Sequence, residues 1–172
     1  FGKRLDGHMR PPFRQHYAAL QAIRQAGGTV TVTNTPRRAF SIIPAGRSHI
    51  KAAVVGDSVY IGGCNLTNPA DVDLMISWQD VAAADWVYTQ LQAMATAGSS
   101  QAAFKLQDRR LQLPQGGEII IDAGKPNQSS ILQAAYQLID EAQREVFLTC
   151  QFFPGGTTAK HLLAAYRRGV RI

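Results

Sequence analysis

The 172-residue chain is poor in the features that fix a function class outright. It has two cysteines, Cys64 and Cys150. That is too few for a disulfide framework, and their apolar neighbours suit buried free thiols. No stretch of about 20 apolar residues occurs, the length that a membrane-crossing helix needs. Charged residues are 17% of the chain. The basic pairs Lys3-Arg4, Arg37-Arg38, Arg109-Arg110 and Arg167-Arg168 do not extend into runs of the kind found in nucleic-acid-binding arms. No His/Cys/Asp cluster has metal-ligand spacing, so neither a metal nor a cofactor is expected.

What is present is an ordinary globular composition, 45% hydrophobic, with a net charge of +6. The positive balance favours an anionic partner: a phosphate, a nucleic acid or an acidic membrane surface. Hydrophobic periodicity predicts a helix over "FRQHYAALQAIRQAGG", stopped by Gly27-Gly28. Alternation and β-branching predict strands at "TVTVTN", "HIKAAVV", "SVYIGG" and "DVDLMISW". A helix capped near Asp80 follows, over "QDVAAADWVYTQLQAMATA". The stretch "GSSQAAFKLQDRRLQLPQGG" has the least pattern and reads as a connector. Then come a strand (EIIIDAG), a helix (QSSILQAAYQLIDEAQR), a strand (EVFLTCQFF), a helix (GGTTAKHLLAAYRRG) and the opening of another strand (VRI). Strands alternating with helices predict an α/β protein with a mixed, largely parallel sheet flanked by helices. A weak repeat joins "ALQAIRQAGGTVTV" to "HLLAAYRRGVRI": helix, Arg, Gly, then Val leading into a strand.

The chemistry concentrates in "HIKAAVVGDSVYIGGCNLT". His49 and Lys51 stand at i and i+2, so on a strand they face one side. An imidazole can attack phosphorus as a nucleophile. A neighbouring ammonium offsets the charge that builds on the non-bridging oxygens, and the Asn65 amide can donate to those same oxygens. Gly62 and Gly63 leave room for a substrate or a second backbone. A nucleophilic histidine needs its other nitrogen held, usually by a carboxylate. Asp73, in an otherwise apolar strand, is the first candidate for that and Asp71 the second. Taken singly, each residue has a plainer role. His49 and Lys51 suit an exposed edge strand, Asn65 a turn, and Asp73 a solvent-facing strand position. His8, His16 and His161 are expected at the surface or core edge, and Trp78 and Trp86 in the core or lining a groove.

These residues resemble the active-site motif of the phospholipase D superfamily: His-x-Lys, four residues, Asp, about six residues, then Gly-Gly or Gly-Ser, any residue, Asn. His49, Lys51, Gly62, Gly63 and Asn65 match it. The chain departs at the Asp, where it has Gly56, with Asp57 one place later as the substitute candidate for a role at the substrate. The resemblance implies residues 1–100 as the later part of a first repeat, 101–117 as a connector and 118–172 as the start of a second, in a fragment of a two-repeat protein. It implies a metal-independent phosphodiesterase or phosphatidyl transferase working through a covalent phosphohistidine. The substrate expected from the resemblance is a phospholipid or other phosphodiester, with peripheral membrane contact; a nuclease acting on nucleic acid is the alternative. A phosphate- or membrane-binding module without activity is the reading from another class. The second motif would come from a further segment of the protein or from a homodimer partner.

Overall fold

A computed structural model describes residues 11–31, 49–63, 73–97, 107–123, 128–150 and 154–172. The chain divides into two units, Phe1–Leu106 and Gln107–Ile172. Both mix helix and strand, and the ladders among the described residues are antiparallel.

In the first unit, α1 spans Pro11–Gln25. It closes on Gly27, whose φ of 86° is costly for any residue with a Cβ. Residues 29–31, where a strand is expected, form no ladder, and the rest of "TVTVTN" lies outside the described residues. Strands β1 (Ala52–Val55), β2 (Ser58–Gly62) and β3 (Met75–Gln79) form one antiparallel sheet in that order. The β1–β2 link is the two-residue turn Gly56-Asp57, with Gly56 at φ 57°. That positive φ explains why glycine suits the place where the resembled motif has Asp.

Helix α2 (Val81–Ala97) packs on β1 and β2. Its first turn is fastened twice by Asp80: the carboxylate accepts from the Ala83 amide at 2.8 Å and the carbonyl from Ala84 at 2.9 Å. Asp80 is therefore the N-cap that the sequence leads one to expect. Val54, Val59 and Trp78 are cross-strand partners. Val59 is buried with Ala83, Ala84 and Val87. This row thus marks the helix-covered face of the sheet, and the opposite face carries Lys51, Ala53, Tyr60, Met75 and Ser77.

In the second unit, β4 (Arg109–Gln112) and β5 (Glu118–Ile121) form a hairpin. Its turn ends on Gly116 and Gly117, both at φ near +90°. The first strand falls inside the expected connector; its alternation is only four residues long and is masked by two adjacent arginines. Helix α3 (Ser130–Glu141) packs on β5 and on α4 (Gly156–Arg167). Ser129 caps α3 by accepting from the Leu132 amide at 3.1 Å, and it also donates to Asp122. Arg168 reaches across to the Ile139 and Asp140 carbonyls at 3.0 and 2.8 Å, supplying donors to the last turn of α3.

The expected strand at 145–153 is reduced, among described residues, to a parallel bridge between Glu145 and Arg171. It is backed by Val146 N–H to the Arg171 carbonyl at 2.8 Å and Arg171 N–H to the Arg144 carbonyl at 3.0 Å. Cys150, expected to be buried, is exposed. It follows a segment in which Phe147 is 93% exposed and Leu148 48% exposed, so the apolar residues just before the thiol do not enclose it.

The two helices of the weak sequence repeat end alike. Gly28 N–H bonds the Ile23 carbonyl and Gly27 N–H the Arg24 carbonyl; Val170 N–H bonds Ala165 and Gly169 N–H bonds Tyr166. Both are the same two-bond helix closure around a positive-φ glycine, Gly27 and Gly169.

Candidate active site

Of the motif residues, His49, Lys51, Gly62 and Gly63 lie at the end of the first sheet away from the Gly56-Asp57 turn. Gly62 N–H donates to the Lys51 carbonyl at 3.2 Å, and Gly63 N–H to the Leu74 carbonyl at 3.0 Å. Because Gly62 also pairs with Met75, Lys51, Gly62 and Met75 form one cross-strand row on the open face. His49 and Asp73 each stand two residues beyond that row, on the outer strands' extensions. Strand parity puts His49 on the open face too, whereas the Asp73 carboxylate lies where a Cβ on Gly63 would project.

His49 is exposed and Lys51 half-buried. The Lys51 ammonium lies 3.2 Å from His49 Nδ1 and 3.3 Å from Nε2, and it donates to the His49 carbonyl at 3.1 Å. An ammonium only donates, so it takes a ring nitrogen as acceptor, whichever the tautomer leaves without hydrogen. Lys51 and His49 are therefore neighbours on one face, and a ring nitrogen that accepts from the ammonium must lose that bond before its lone pair can attack.

Asp73 is exposed and its Oδ1 accepts from the Leu74 amide at 2.9 Å. No hydrogen bond joins it to His49 among the described residues. The two sit on outer strands separated by a central one, about 10 Å at backbone level, beyond the reach of a short aspartate side chain alone. What the Asp73 carboxylate does approach is Gly63. A Cβ on Gly63 would run into the Asp73 carboxylate, and one on Gly62 would overlap the Leu74 carbonyl and come 2.8 Å from Met75 Cα. Gly62 is thus required by the close backbone of β3 and the residue just before it, whereas Gly63 faces only the end of the Asp73 side chain.

Asp57 occupies the hairpin turn. Its carbonyl accepts from the Asp80 amide at 3.0 Å, tying the turn to the start of α2. From His49 it is separated by the length of β1 and its approach, on the order of 20 Å along a strand. Its carboxylate therefore does not share a phosphate with His49. Asn65 and Asp71 lie outside the described residues, as does Cys64.

Two features had no weight at the level of sequence. Tyr60 and Met75 share the open face with Lys51; the alternation Tyr60–Gly62 in β2 was signal enough to find the first. The other is a cluster between α3 and α4. His161 Nδ1 lies 2.8 and 3.0 Å from the two Asp140 oxygens, and its ring stacks on Tyr136 at 4.4 Å with 6° between planes. The Tyr136 hydroxyl in turn meets Thr158 Oγ1 at 3.1 Å. The contacting pairs are 21 or more residues apart along the chain, and nothing local in the sequence announces the pairing. The cluster ties the two helices together. Among the described residues no three His, Cys, Asp or Glu side chains converge as metal ligands would. Comparison with protein-family models, curated proteins and solved structures found no match to this chain.

Proposed function

We propose that the chain is part of a metal-independent phosphodiesterase or phosphatidyl transferase of the phospholipase D type, with His49 as nucleophile. The observation that carries this reading is the His49–Lys51 pair, held within hydrogen-bond distance on an open sheet face beside Gly62 and Gly63. In the proposed reaction a His49 ring nitrogen attacks phosphorus. A P–N bond forms, and the bond to the leaving oxygen breaks with its electron pair on that oxygen. Lys51 offsets charge on the non-bridging oxygens, and Asn65 is proposed to donate to them. Asp73 is proposed to orient the imidazole, through water or through a shift of the His49 side chain. Water or an alcohol then displaces the histidine, giving hydrolysis or transfer.

The proton for the leaving oxygen comes, in this reading, from a second motif in a two-repeat, largely parallel α/β fold, or from a second copy of the chain. The matched helix closures at Gly27 and Gly169 support the two-repeat arrangement, and the parallel Glu145–Arg171 bridge supports the parallel sheet. Phospholipid headgroups are the proposed substrate and nucleic acid the alternative. Peripheral membrane contact is part of the lipid reading.

A second reading, a phosphate- or membrane-binding module without turnover, is favoured by one observation. The Asp73 carboxylate is engaged by the Leu74 amide and not by His49. Incubation of the full protein with phospholipid and, separately, with single-stranded DNA separates these readings. The proposal expects product from one of the two, abolished in His49→Ala. Product that persists in His49→Ala refutes the mechanism, and tight binding without product in either case establishes the module.

A further inference from the structure

We infer that the outer face of α4 is a contact site for an anionic lipid bilayer, bound through Lys160 and Arg167 with Leu163 between them. The inference rests on and deepens the lipid reading, which calls for membrane contact and gives it no place on the chain.

The face follows from helix geometry. Leu162 and Ala165 are buried, and Thr158 and His161 meet Tyr136 and Asp140 of α3. These four residues mark the packed side of α4. Lys160, Leu163 and Arg167, at i, i+3 and i+7, form a stripe about 10 Å long on the other side. All three are exposed, Leu163 at 47%. Tyr166 flanks the stripe and is 65% exposed. Among the described residues neither Lys160 nor Arg167 takes part in an ion pair. Residues 155–172 contain no Asp or Glu, so no acid of α4 itself offsets the two cations. Asp140, the acid that α4 does touch, is engaged on the packed side by His161, and Glu145 is paired with Arg171.

The order of side chains selects the partner. A flat surface that meets both cations also meets Leu163. A nucleic acid offers phosphates to the cations but little apolar surface to an aliphatic side chain held between them. An anionic bilayer offers headgroup charge and, just beneath it, acyl chains that take the leucine. The lysine and arginine stems lie along the apolar layer with their charges at the headgroups. A tyrosine at the edge of the stripe suits the same boundary, with its ring inward and its hydroxyl in water.

Vesicle sedimentation tests the contact without turnover. The full protein carries His49→Ala, so that lipid is not consumed. It is titrated with phosphatidylcholine vesicles, either pure or containing about 30% phosphatidylserine. The parent is expected to bind the anionic vesicles more than about 30-fold more tightly, and to lose that margin as salt is raised. Lys160→Gln with Arg167→Gln is expected to weaken binding to the anionic vesicles about 30-fold. Leu163→Ala, at an exposed position that leaves the fold intact, is expected to weaken it about three-fold. Arg24→Gln with Arg109→Gln removes the same charge at two other exposed positions and is expected to change binding less than about two-fold. Equal loss from the two double variants overturns the assignment. So does a Leu163→Ala variant that binds like its parent, or a parent that binds both vesicles alike. A single-stranded oligonucleotide that displaces the vesicles and is insensitive to Leu163→Ala overturns it in favour of nucleic acid. Turnover that survives His49→Ala overturns the phosphohistidine reading instead, and the contrast between the double variants still decides the role of α4.

Discussion

Gly62 and Gly63 stand side by side but answer to different constraints. A methyl on Gly62 meets the backbone of Leu74 and Met75, which cannot yield without shifting β3. Gly62→Ala is therefore expected to cost about 1–3 kcal/mol of stability, as overpacking does, read as a fall in the denaturation midpoint. A methyl on Gly63 meets the end of the Asp73 side chain, which can rotate away. Gly63→Ala is expected to keep the midpoint within about 0.5 kcal/mol while lowering turnover, because it moves the carboxylate proposed to orient His49. A midpoint loss as large as that of Gly62→Ala would show that Asp73 is pinned and not mobile. The distinction depends on the identity of the clashing atom, and an adjacent pair of glycines in a sequence does not reveal it.

Helix α2 and the β1–β2 turn are joined at Asp80, which both caps the helix and donates its amide to the Asp57 carbonyl. Asp80→Ala removes the carboxylate and leaves that amide in place, so the expected loss is that of an N-cap, about 1 kcal/mol, in thermal or urea unfolding. Asp57→Ala removes a carboxylate that lies the length of β1 from His49, and kcat/KM is expected to stay within about two-fold. A large loss of activity would bring Asp57 back to the substrate.

The same element shows what was legible beforehand. Asp80 preceding "VAAADW" is a local signal of cap and apolar stripe, and it is read correctly from the sequence alone. The hairpin turn and the three strands of the motif were legible for the same reason. Strand β4 was not, because Arg109 and Arg110 hide an alternation four residues long. The His161–Asp140 pair was not either, because it depends on how α3 and α4 pack. The placement of Asp73 stayed hidden as well. Parity assigned it the face of His49, whereas its carboxylate lies against Gly63 and the register puts a whole strand between it and His49.

Across the whole chain the net charge of +6 is dispersed, and much of what is described is already engaged. Arg110 bonds Glu118, Arg168 bonds the end of α3, and Arg171 pairs with Glu145. Affinity for a polyanion scales with the number of phosphates neutralised, and log K falls against log salt with a slope near −0.7 for each on a single strand. With one cation beside His49 among the described residues of the open face, binding of a single-stranded oligonucleotide is expected to show a slope of about −1 or shallower in a salt titration. A slope of −4 or steeper would mark an extended basic track and favour the nuclease reading over the lipid one.

The Glu145–Arg171 bridge has a bearing on how the second unit comes apart. It closes residues 144–171 into a ring whose far side is α4, and the Val146 and Arg171 amides are the two bonds that fasten it. Val170, next to the bridge, is buried along with Leu162 and Ala165 of α4. Hydrogen exchange at the Val146 and Arg171 amides is therefore expected to track the undocking of α4, so that one backbone closure serves as a sensor of the helix.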